Sequence, residues 1–370
     1  MKIPMACAEL NESDIAAVVE VLRSGRLALG PKALEFERQI ANYIGVKHAI
    51  AVSSGTAALH LLIRAMGLKS GDEVLVPSFT FASSVNAILY EGATPVFVDI
   101  VPDSYNLDPV DLSRKVTPRT KAIMAVDVFG HPVDWDAILD IADRYNLKVI
   151  DDSCEALGAD YKGRKVGQFG DAAAFAFYPN KQMTTGEGGV IVTDDDEIAT
   201  LAQSLRNQGR DAMGAWLEHV RLGYNYRMDE MSAALGLSQC ARLETFLSKR
   251  AKVAARYTDH LRDLSWVRPP IVRPEVRMSW FVYVITLAEG LERDAVMRAL
   301  AEAGVPSRGY FSPIHTQPYI LERFGDLSGT LPVTESVASR TIALPFSSVM
   351  TEDQVDYVCE ALEACAANLP

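Results

Sequence analysis

The chain of 370 residues is 49% hydrophobic and 23% charged, a balance typical of a globular protein with one large domain and a smaller one. Its formal net charge of −12 opposes general binding to nucleic acid or to an anionic membrane, because phosphate groups would repel the protein. A phosphorylated ligand would therefore need a local site.

The cysteine pattern indicates a reducing compartment. The five cysteines show neither metal-ligand spacing nor a paired framework: Cys7, Cys154, Cys240, Cys359 and Cys365. The first residues lack the apolar core of a signal peptide, and no later stretch is apolar over the ~18 residues of a membrane span. We therefore expect a cytoplasmic protein without a metal site.

Apolar periodicity in the first half of the chain predicts alternating helices and strands. Helical spacing runs from Glu12 to Leu22 and from Ala33 to Ile44, a short strand spans 49–53, and SSGTAALHLLIRAMG then enters a helix. Strands and helical segments alternate after it: EVLVPS, SSVNAILYEG, PVFVDI, KAIMAVDVFG, WDAILDIADRYN and KVIDDS. This βαβ rhythm predicts an α/β fold with a mostly parallel central sheet flanked by helices.

The second half of the chain has a different pattern. One long helix is predicted over residues 228–263, followed by the strand SWFVYVITL, the helix ERDAVMRALAEAG and a final helix beginning near Thr351. We place a domain boundary inside the long helix, near Leu247. The prediction is a large α/β domain over residues 1–247 and a small α+β domain over residues 248–370.

Two polar stretches follow predicted strands. The stretch SSGT, residues 53–56, stands at the start of a helix, where free backbone N–H groups and the helix dipole favour an anion such as a phosphate. Simple helix capping by Ser or Thr is the alternative. Asp151 and Asp152 stand at the carboxyl end of a buried strand, the edge where open α/β sheets bind ligands. A protonated ring nitrogen could offset the cost of burying such a carboxylate, although an aspartate can also cap the next helix.

Three further residues have a functional and a structural interpretation. Lys181 lies between an apolar strand and a Gly-rich turn, where its amine could form a Schiff base with a carbonyl cofactor or simply be solvated. Phe81 follows another strand end and could stack on a flat cofactor ring or pack in the core. Asn225 lies between two tyrosines in a loop, and all three could simply be solvated turn residues.

In chain order, a phosphate cradle, a stacking aromatic ring, a strand-end aspartate and a strand-end lysine are the parts of a pyridoxal phosphate site. The sequence resembles the DegT/DnrJ/StrS family of sugar aminotransferases, which has the aspartate aminotransferase type of fold, fold type I. The resemblance covers nearly the whole chain through six stretches: LRSGRLALGPKALEFERQIANYIGVKHAIAVSSGTAAL, PSFTFASSVNAILYEGATPVFVDI, TKAIMAVDVFG, GEGGVIVTDD, GYNYRM and LPVTESVASRTIALPFSSVMTEDQV.

The resemblance implies a role for each residue of the cofactor site. Lys181 would form the Schiff base and later move the proton between the sugar carbon and the cofactor carbon. Asp152 would keep the pyridine nitrogen protonated, and Phe81 would stack on the ring. Gly55 and Thr56 would donate backbone and hydroxyl hydrogen bonds to the phosphate.

The resemblance also implies a homodimer with shared active sites. Asn225 matches the family residue that reaches the cofactor phosphate of the neighbouring subunit. Tyr310 and His315 in RGYFSPIHTQPY resemble family residues near the substrate, although both could instead pack the domain interface.

Two positions depart from the family pattern. Ala176 stands where the family commonly has a serine whose hydroxyl binds the cofactor phosphate, so one phosphate contact is missing. Glu155 stands where the family usually has Gln or His against the phenolic oxygen of the cofactor. A carboxylate would repel a phenolate, which predicts that Glu155 is either protonated or turned away.

The implied function is transfer of an amino group from glutamate to a keto group on a nucleotide-linked deoxysugar or a cyclitol. A keto-sugar dehydratase of the same fold is one alternative, but those enzymes replace the lysine with histidine, and this chain keeps Lys181. A non-enzymatic regulatory protein is another, which the acidic charge and the lack of a DNA-reading motif oppose.

Overall fold

The computed structural model describes residues 3–211 and 218–365. Its helices are α1 Glu12–Ser24, α2 Pro31–Ile44, α3 Gly55–Ala65, α4 Ala82–Tyr90, α5 Pro109–Arg114, α6 Trp135–Tyr145, α7 Asp196–Arg206, α8 Glu230–Cys240, α9 Leu243–Leu261, α10 Arg293–Glu302, α11 Pro318–Phe324, α12 Pro332–Arg340 and α13 Glu352–Cys365. Its strands are β1 His48–Val52, β2 Glu73–Pro77, β3 Thr94–Val98, β4 Thr120–Val126, β5 Lys148–Asp152, β6 Asp160–Tyr161, β7 Arg164–Lys165, β8 Ala172–Ala176, β9 Gly189–Thr193, β10 Val267–Arg268, β11 Val276–Arg277, β12 Tyr283–Leu287 and β13 Thr341–Leu344.

A seven-stranded sheet with the order β1-β9-β8-β5-β4-β2-β3 forms the centre of the molecule. Strand β9 runs antiparallel to both neighbours, whereas β8, β5, β4, β2 and β3 pair in parallel. The predicted mostly parallel α/β sheet is therefore confirmed. Its register pairs Val126 at the end of β4 with Asp152 at the end of β5. These carboxyl ends meet at one edge of the sheet, as ligand sites of open α/β folds require.

Apolar side chains cover both faces of the central sheet. In β9, Ile191 packs in the core on one face, while Val190 and Val192 pack in the core on the other. Every residue of β9 is buried, which explains why its sequence reads as a continuous apolar run without alternation. The sheet is thus a rigid platform on which the strand ends are fixed.

The C-terminal part contains a second, antiparallel sheet with the order β10-β12-β13. Its core includes Tyr257 from α9 and Tyr283 from β12, whose stacked ring centroids lie 4.8 Å apart. Ile3 near the N-terminus packs in this same core. Leu247 of α9 instead packs in a core of the central sheet, so the domain boundary near this residue stays a prediction.

The prediction of one long helix over residues 228–263 is wrong. The structure has two helices there, α8 and α9, and the chain leaves helical geometry at Arg242, with φ −113° and ψ 7°. Gln239 before this break and Arg242 at the break both bind the buried carboxylate of Asp14 from α1. None of the helices in residues 3–211 and 218–365 is both long enough and apolar enough to cross a membrane.

Candidate active site

A cavity of about 720 Å³ lies at the carboxyl ends of β4, β5 and β8. Its lining brings together these predicted residues: Gly55, Thr56, Phe81, Asp152, Glu155, Lys181 and Tyr310. Asn225 and His315 are not among the lining residues. Positions spread over more than 250 residues of sequence therefore meet in one site because the strands and helix termini that carry them share one edge.

The start of α3 forms a cradle for an anion. Ser54 caps the helix by accepting a hydrogen bond from the Ala57 N–H at 3.1 Å, so the capping interpretation is correct for this residue. The amides of Gly55 and Thr56, in the first turn, have no carbonyl one turn back to bind. A Cβ atom on Gly55 would lie 2.6 Å from the Cβ of Ala176, so only glycine fits here. Capping and an anion site therefore coexist.

Asp152 is a buried carboxylate at the cavity wall, only 4% exposed. It accepts hydrogen bonds from the Ser84 hydroxyl at 2.6 Å and from the Cys154 N–H at 3.2 Å. Within residues 3–211 and 218–365 it forms no ion pair, so its charge lacks a cationic partner. A protonated pyridine nitrogen has the charge and donor that this site requires.

Phe81 remains 64% exposed although its side chain is wholly apolar, so the core-packing alternative is wrong. It lies at the N-terminus of α4, three residues before Ser84, the partner of Asp152. One short segment thus carries both an uncovered aromatic face and a ligand of the buried carboxylate. Phe81 could therefore cover a flat ring while Asp152 accepted a hydrogen bond from that ring's nitrogen.

Lys181 points into the cavity, and its side chain is only 13% exposed, so it is not a solvated loop lysine. Its Nζ lies 3.6 Å from Glu155 Oε1 and 3.9 Å from the ring centroid of Phe281. Both contacts hold the amine at the cavity that Gly55, Thr56 and Asp152 also line. A lysine held in this way can act as a nucleophile towards a carbonyl group.

Arg250 fixes the backbone around the lysine, and sequence reasoning missed it. Its guanidinium is buried and donates to the carbonyl oxygens of Asn180 and Lys181, at 3.3 and 2.7 Å, and of Trp280 and Phe281, at 3.1 and 3.2 Å. The sequence does contain an indication of this role. Arg250 interrupts the buried apolar stripe of α9, which a solvated arginine would not do.

Glu155 lines the cavity and faces Lys181, so the expectation that it is turned away from the site is wrong. Its Oε2 accepts the Phe129 N–H at 2.9 Å, and its Oε1 forms the ion pair with Lys181. Burial raises the pKa of Glu155 despite these two neighbours. The direction agrees with the other expectation, a carboxyl group that takes up a proton easily.

Tyr310 and His315 have different environments. Tyr310 lines the cavity and stacks on Phe311, with ring centroids 5.2 Å apart. His315 is fully buried, with Nδ1 at 2.6 Å from the Ser78 hydroxyl and Nε2 at 3.1 Å from a Glu335 oxygen. The predicted contact of His315 with substrate is therefore corrected to the packing role that the sequence also allowed.

Asn225 is exposed between two partly buried tyrosines, and its backbone bridges to Asn207. It does not line the cavity of its own chain. An exposed position outside this cavity agrees with a contact to another subunit. That contact stays a prediction.

Asp151 points away from the cavity, into a buried cluster that sequence reasoning missed. The Ser153 hydroxyl lies 2.7 Å from a carboxylate oxygen of Asp151 and 2.7 Å from one of Asp127. A hydroxyl has one hydrogen and can donate to only one of them, so the other carboxyl must donate a proton of its own. Burial raises the pKa of Asp127 to about 7 and that of Asp151 well above its usual range, as one shared proton requires.

This proton makes stability depend on pH in a predictable direction. Because folding raises the pKa of Asp127, the folded state binds more protons than the unfolded chain between about pH 4 and pH 7. The contribution is fully present below that range and is lost as the pH rises through it. Asp127→Asn presents an amide to Ser153 and mimics the protonated carboxyl at every pH. We expect its free energy of unfolding, measured by urea denaturation, to fall less than that of the wild type across this range.

Asp140→Asn is the control for this comparison, since Asp140 is an exposed aspartate on α6. It should leave the slope of stability against pH as it is in the wild type. Equal slopes for the wild type and Asp127→Asn would show that the buried pair holds no shared proton.

Comparison with known proteins agrees with this geometry. Residues 8–363 match the DegT/DnrJ/EryC1/StrS aminotransferase family. The chain belongs to this family. GDP-perosamine synthase of Caulobacter vibrioides is 41% identical over 366 residues, 98% of each chain. DesV of S. venezuelae superposes with a TM-score of 0.91 at 35% identity, over 95% of this chain and 94% of that one. The PLP form of Spr1654, a putative sugar aminotransferase from Streptococcus pneumoniae, superposes with a TM-score of 0.94 at 28% identity. The match covers 100% of this chain and 99% of that one.

This member of the DegT/DnrJ/EryC1/StrS family is a pyridoxal-phosphate-dependent aminotransferase. The predicted family, fold class, enzyme class and cofactor are thereby confirmed. The residues of the cavity also fit the cofactor: an anion cradle at α3, an unpaired buried carboxylate, an exposed aromatic face and a directed amine.

Proposed function

We propose that the enzyme transfers the amino group of glutamate to a keto group on a nucleotide-linked deoxysugar, as a cytoplasmic homodimer with shared active sites. The observation that carries the proposal is the convergence of Gly55, Phe81, Asp152 and Lys181 on one cavity. The sugar is supported by relatives named GDP-perosamine synthase and spore coat polysaccharide biosynthesis protein SpsC. The five cysteines are all unpaired, which agrees with a reducing compartment.

In this proposal, residues from three elements of the fold bind the cofactor. When bound, pyridoxal phosphate supplies an electron sink that stabilises negative charge on the substrate carbon that loses its proton. The amides of Gly55 and Thr56 at the start of α3 would hold its phosphate. Asp152 would keep the proton on the ring nitrogen, and Phe81 would cover the ring. Ala176 contributes no hydroxyl, so the helix terminus carries more of the phosphate binding than in relatives with a serine.

Lys181 has two roles in the proposal. Its amine would hold the cofactor, and when free it would move a proton to and from the substrate carbon. A neutral amine is needed for both roles. Glu155 lies 3.6 Å from Nζ, and burial raises its pKa, so it is placed to hold the proton that the lysine gives up.

The charges of the cavity support a site shared between two chains. Glutamate and a sugar nucleotide both carry anionic groups, yet the cavity is lined by the acids Asp152, Glu155 and Glu187. Lys181 is the only lysine or arginine among its lining residues in the described part of the chain. Cations for the substrates must therefore come from outside this lining, and a neighbouring subunit that brings Asn225 can also bring them.

Residues 309–312 and Ile314 also line the cavity, and in this proposal they face the substrate. Tyr310 offers a phenol and a stacking face to the sugar. His315 holds this segment to the sheet, because its N–H donates to the Ser78 hydroxyl at 3.0 Å while the Ile314 N–H donates to the Ser78 carbonyl at 3.0 Å. We assign it a positioning role.

A transfer assay tests the proposed function. The holoenzyme is incubated with nitrogen-labelled glutamate and a panel of keto sugar nucleotides and cyclitol ketones, and products are identified by mass spectrometry. We expect the label in an amino sugar product and 2-oxoglutarate in equal amount, with none from Lys181→Ala. A dehydrated product without label would favour the dehydratase alternative. No transfer from glutamate to any nucleotide-linked ketone would contradict the proposal.

A further inference from the structure

Glu91, just beyond α4, has a buried carboxylate and does not line the cavity. Its side chain is 7% exposed and accepts three hydrogen bonds. Oε1 accepts the Tyr224 hydroxyl at 2.8 Å and the His60 Nε2–H at 2.9 Å, and Oε2 accepts the Arg64 guanidinium at 2.8 Å. Burial alone would raise the pKa of Glu91, but these three bonds outweigh it and lower the pKa, so the group is ionised.

The donors connect Glu91 to the segment that carries Asn225. The rings of Tyr224 and Tyr226 stack with centroids 5.1 Å apart and an angle of 11° between their planes. The Tyr226 hydroxyl lies 3.2 Å from His60 Nδ1, and burial together with the bond to Glu91 raises the pKa of Tyr224 to about 12. Both tyrosines thus face α3 and keep their hydroxyls protonated, while Asn225 between them is exposed.

Backbone bonds fix which side of this segment faces outward. The Tyr224 N–H donates to the Leu205 carbonyl at 2.6 Å, and the Tyr226 N–H donates to the Arg206 carbonyl at 3.0 Å. The Tyr226 carbonyl accepts the Ser53 N–H at 2.8 Å, next to the anion cradle of the same chain. In an extended segment, alternate side chains point in opposite directions, so docking the two tyrosines sets the direction of Asn225.

We propose that Glu91 is a positioning residue that docks the Tyr224–Tyr226 pair on α3 and so presents Asn225 to the cofactor phosphate of the partner subunit. This inference rests on the proposed shared site. A second possibility is present in the same contacts, because the bond to Ser53 could transmit a defect at Glu91 to the cradle of its own chain. The experiment must therefore separate an effect on the partner's site from one on the residue's own site.

Two mixed dimers, purified through a different tag on each chain, make this separation. In the first, one chain carries Lys181→Ala and Glu91→Gln and the other is wild type. In the second, one chain carries Lys181→Ala and the other carries Glu91→Gln. Each dimer has one Lys181, and borohydride fixes the cofactor only at that lysine. The label on Lys181 is measured against pyridoxal phosphate concentration, which reports the affinity of that site without any activity assay.

The two arrangements give opposite expectations. In the first dimer the site with Lys181 receives the Asn225 segment of the Glu91→Gln chain, so half-saturation should need about tenfold more cofactor, as expected for loss of a hydrogen bond to a charged group. In the second dimer that site receives an intact segment and should match the wild type. Equal half-saturation in the two dimers, or weaker binding in the second, would overturn the inference.

Two further variants complete the design. Tyr224→Phe removes only the hydroxyl that reaches Glu91 and should reproduce the asymmetry even if Glu91→Gln dimers do not assemble. Glu73→Gln is the matched control. Glu73 is also buried and paired with an arginine, but it is the first residue of β2, at the end of the strand away from the cavity. It should bind equally in both arrangements. Asn225→Asp in place of Glu91→Gln in the same two dimers tests the shared site itself. If Asn225→Asp weakens cofactor binding in the site of its own chain, the proposed shared site is wrong. If Asn225→Asp weakens binding in the partner's site but Glu91→Gln weakens it in the site of its own chain, only the inference about Glu91 is wrong.

Discussion

Lys181→Ala is expected to lower the rate of amino transfer by more than roughly a thousandfold, because it removes the nucleophile and the proton carrier together. The variant should still bind pyridoxal phosphate, since the start of α3, Phe81 and Asp152 are untouched. Transfer is measured with nitrogen-labelled glutamate, and binding by titration of the apo-protein. Loss of transfer with binding retained would separate the chemical role of the lysine from a structural one.

Lys165→Ala is the matched control for this variant. Lys165 is also partly buried, with its Nζ 3.5 Å from the ring centroid of Tyr43, but it does not line the cavity. The control should transfer amino groups at a rate close to that of the wild type. If Lys181→Ala retained the activity of Lys165→Ala, the proposed role of Lys181 would be wrong.

Asn225→Asp is expected to inactivate the homodimer, because a carboxylate placed against the cofactor phosphate adds like-charge repulsion. Mixing it with Lys181→Ala should restore activity. When Asn225 acts across the interface, a mixed dimer carries both lesions in one site and neither in the other. With equal amounts and random exchange, about half of the dimers are mixed, so about a quarter of all sites should be active, as two-fold symmetry requires.

The exchange experiment gives a clear opposite result if Asn225 serves its own chain. Every site of a mixed dimer then keeps one lesion, and activity stays absent. Exchange itself is confirmed by recovering dimers that carry both of two affinity tags. Confirmed exchange without activity would contradict the shared site.

Much of the site could be predicted from the sequence because it consists of strand ends and a helix start. Asp152 and Lys181 follow apolar runs, and Gly55 opens a helix after another such run, so local patterns place each of them at a sheet edge. Parallel pairing then brings those ends together without further information. The departures Ala176 and Glu155 were also visible, and the structure lines the cavity with both.

The errors arose where tertiary contacts outweigh local pattern. The break between α8 and α9 contains no glycine or proline, and its neighbours bind Asp14, more than 220 residues away in sequence. His315 resembles a polar substrate ligand until the fold supplies Ser78 and Glu335 as partners. The same reason explains the missed residues Asp127 and Arg250, whose partners come from other elements.

The most direct test of the account is the position of the cofactor on the chain. The holoenzyme is reduced with borohydride, digested, and its peptides are mapped by mass spectrometry. The account predicts a single modified peptide, with the pyridoxyl group on Lys181. Modification of a different lysine, or an unmodified Lys181 in protein that has bound the cofactor, would contradict it.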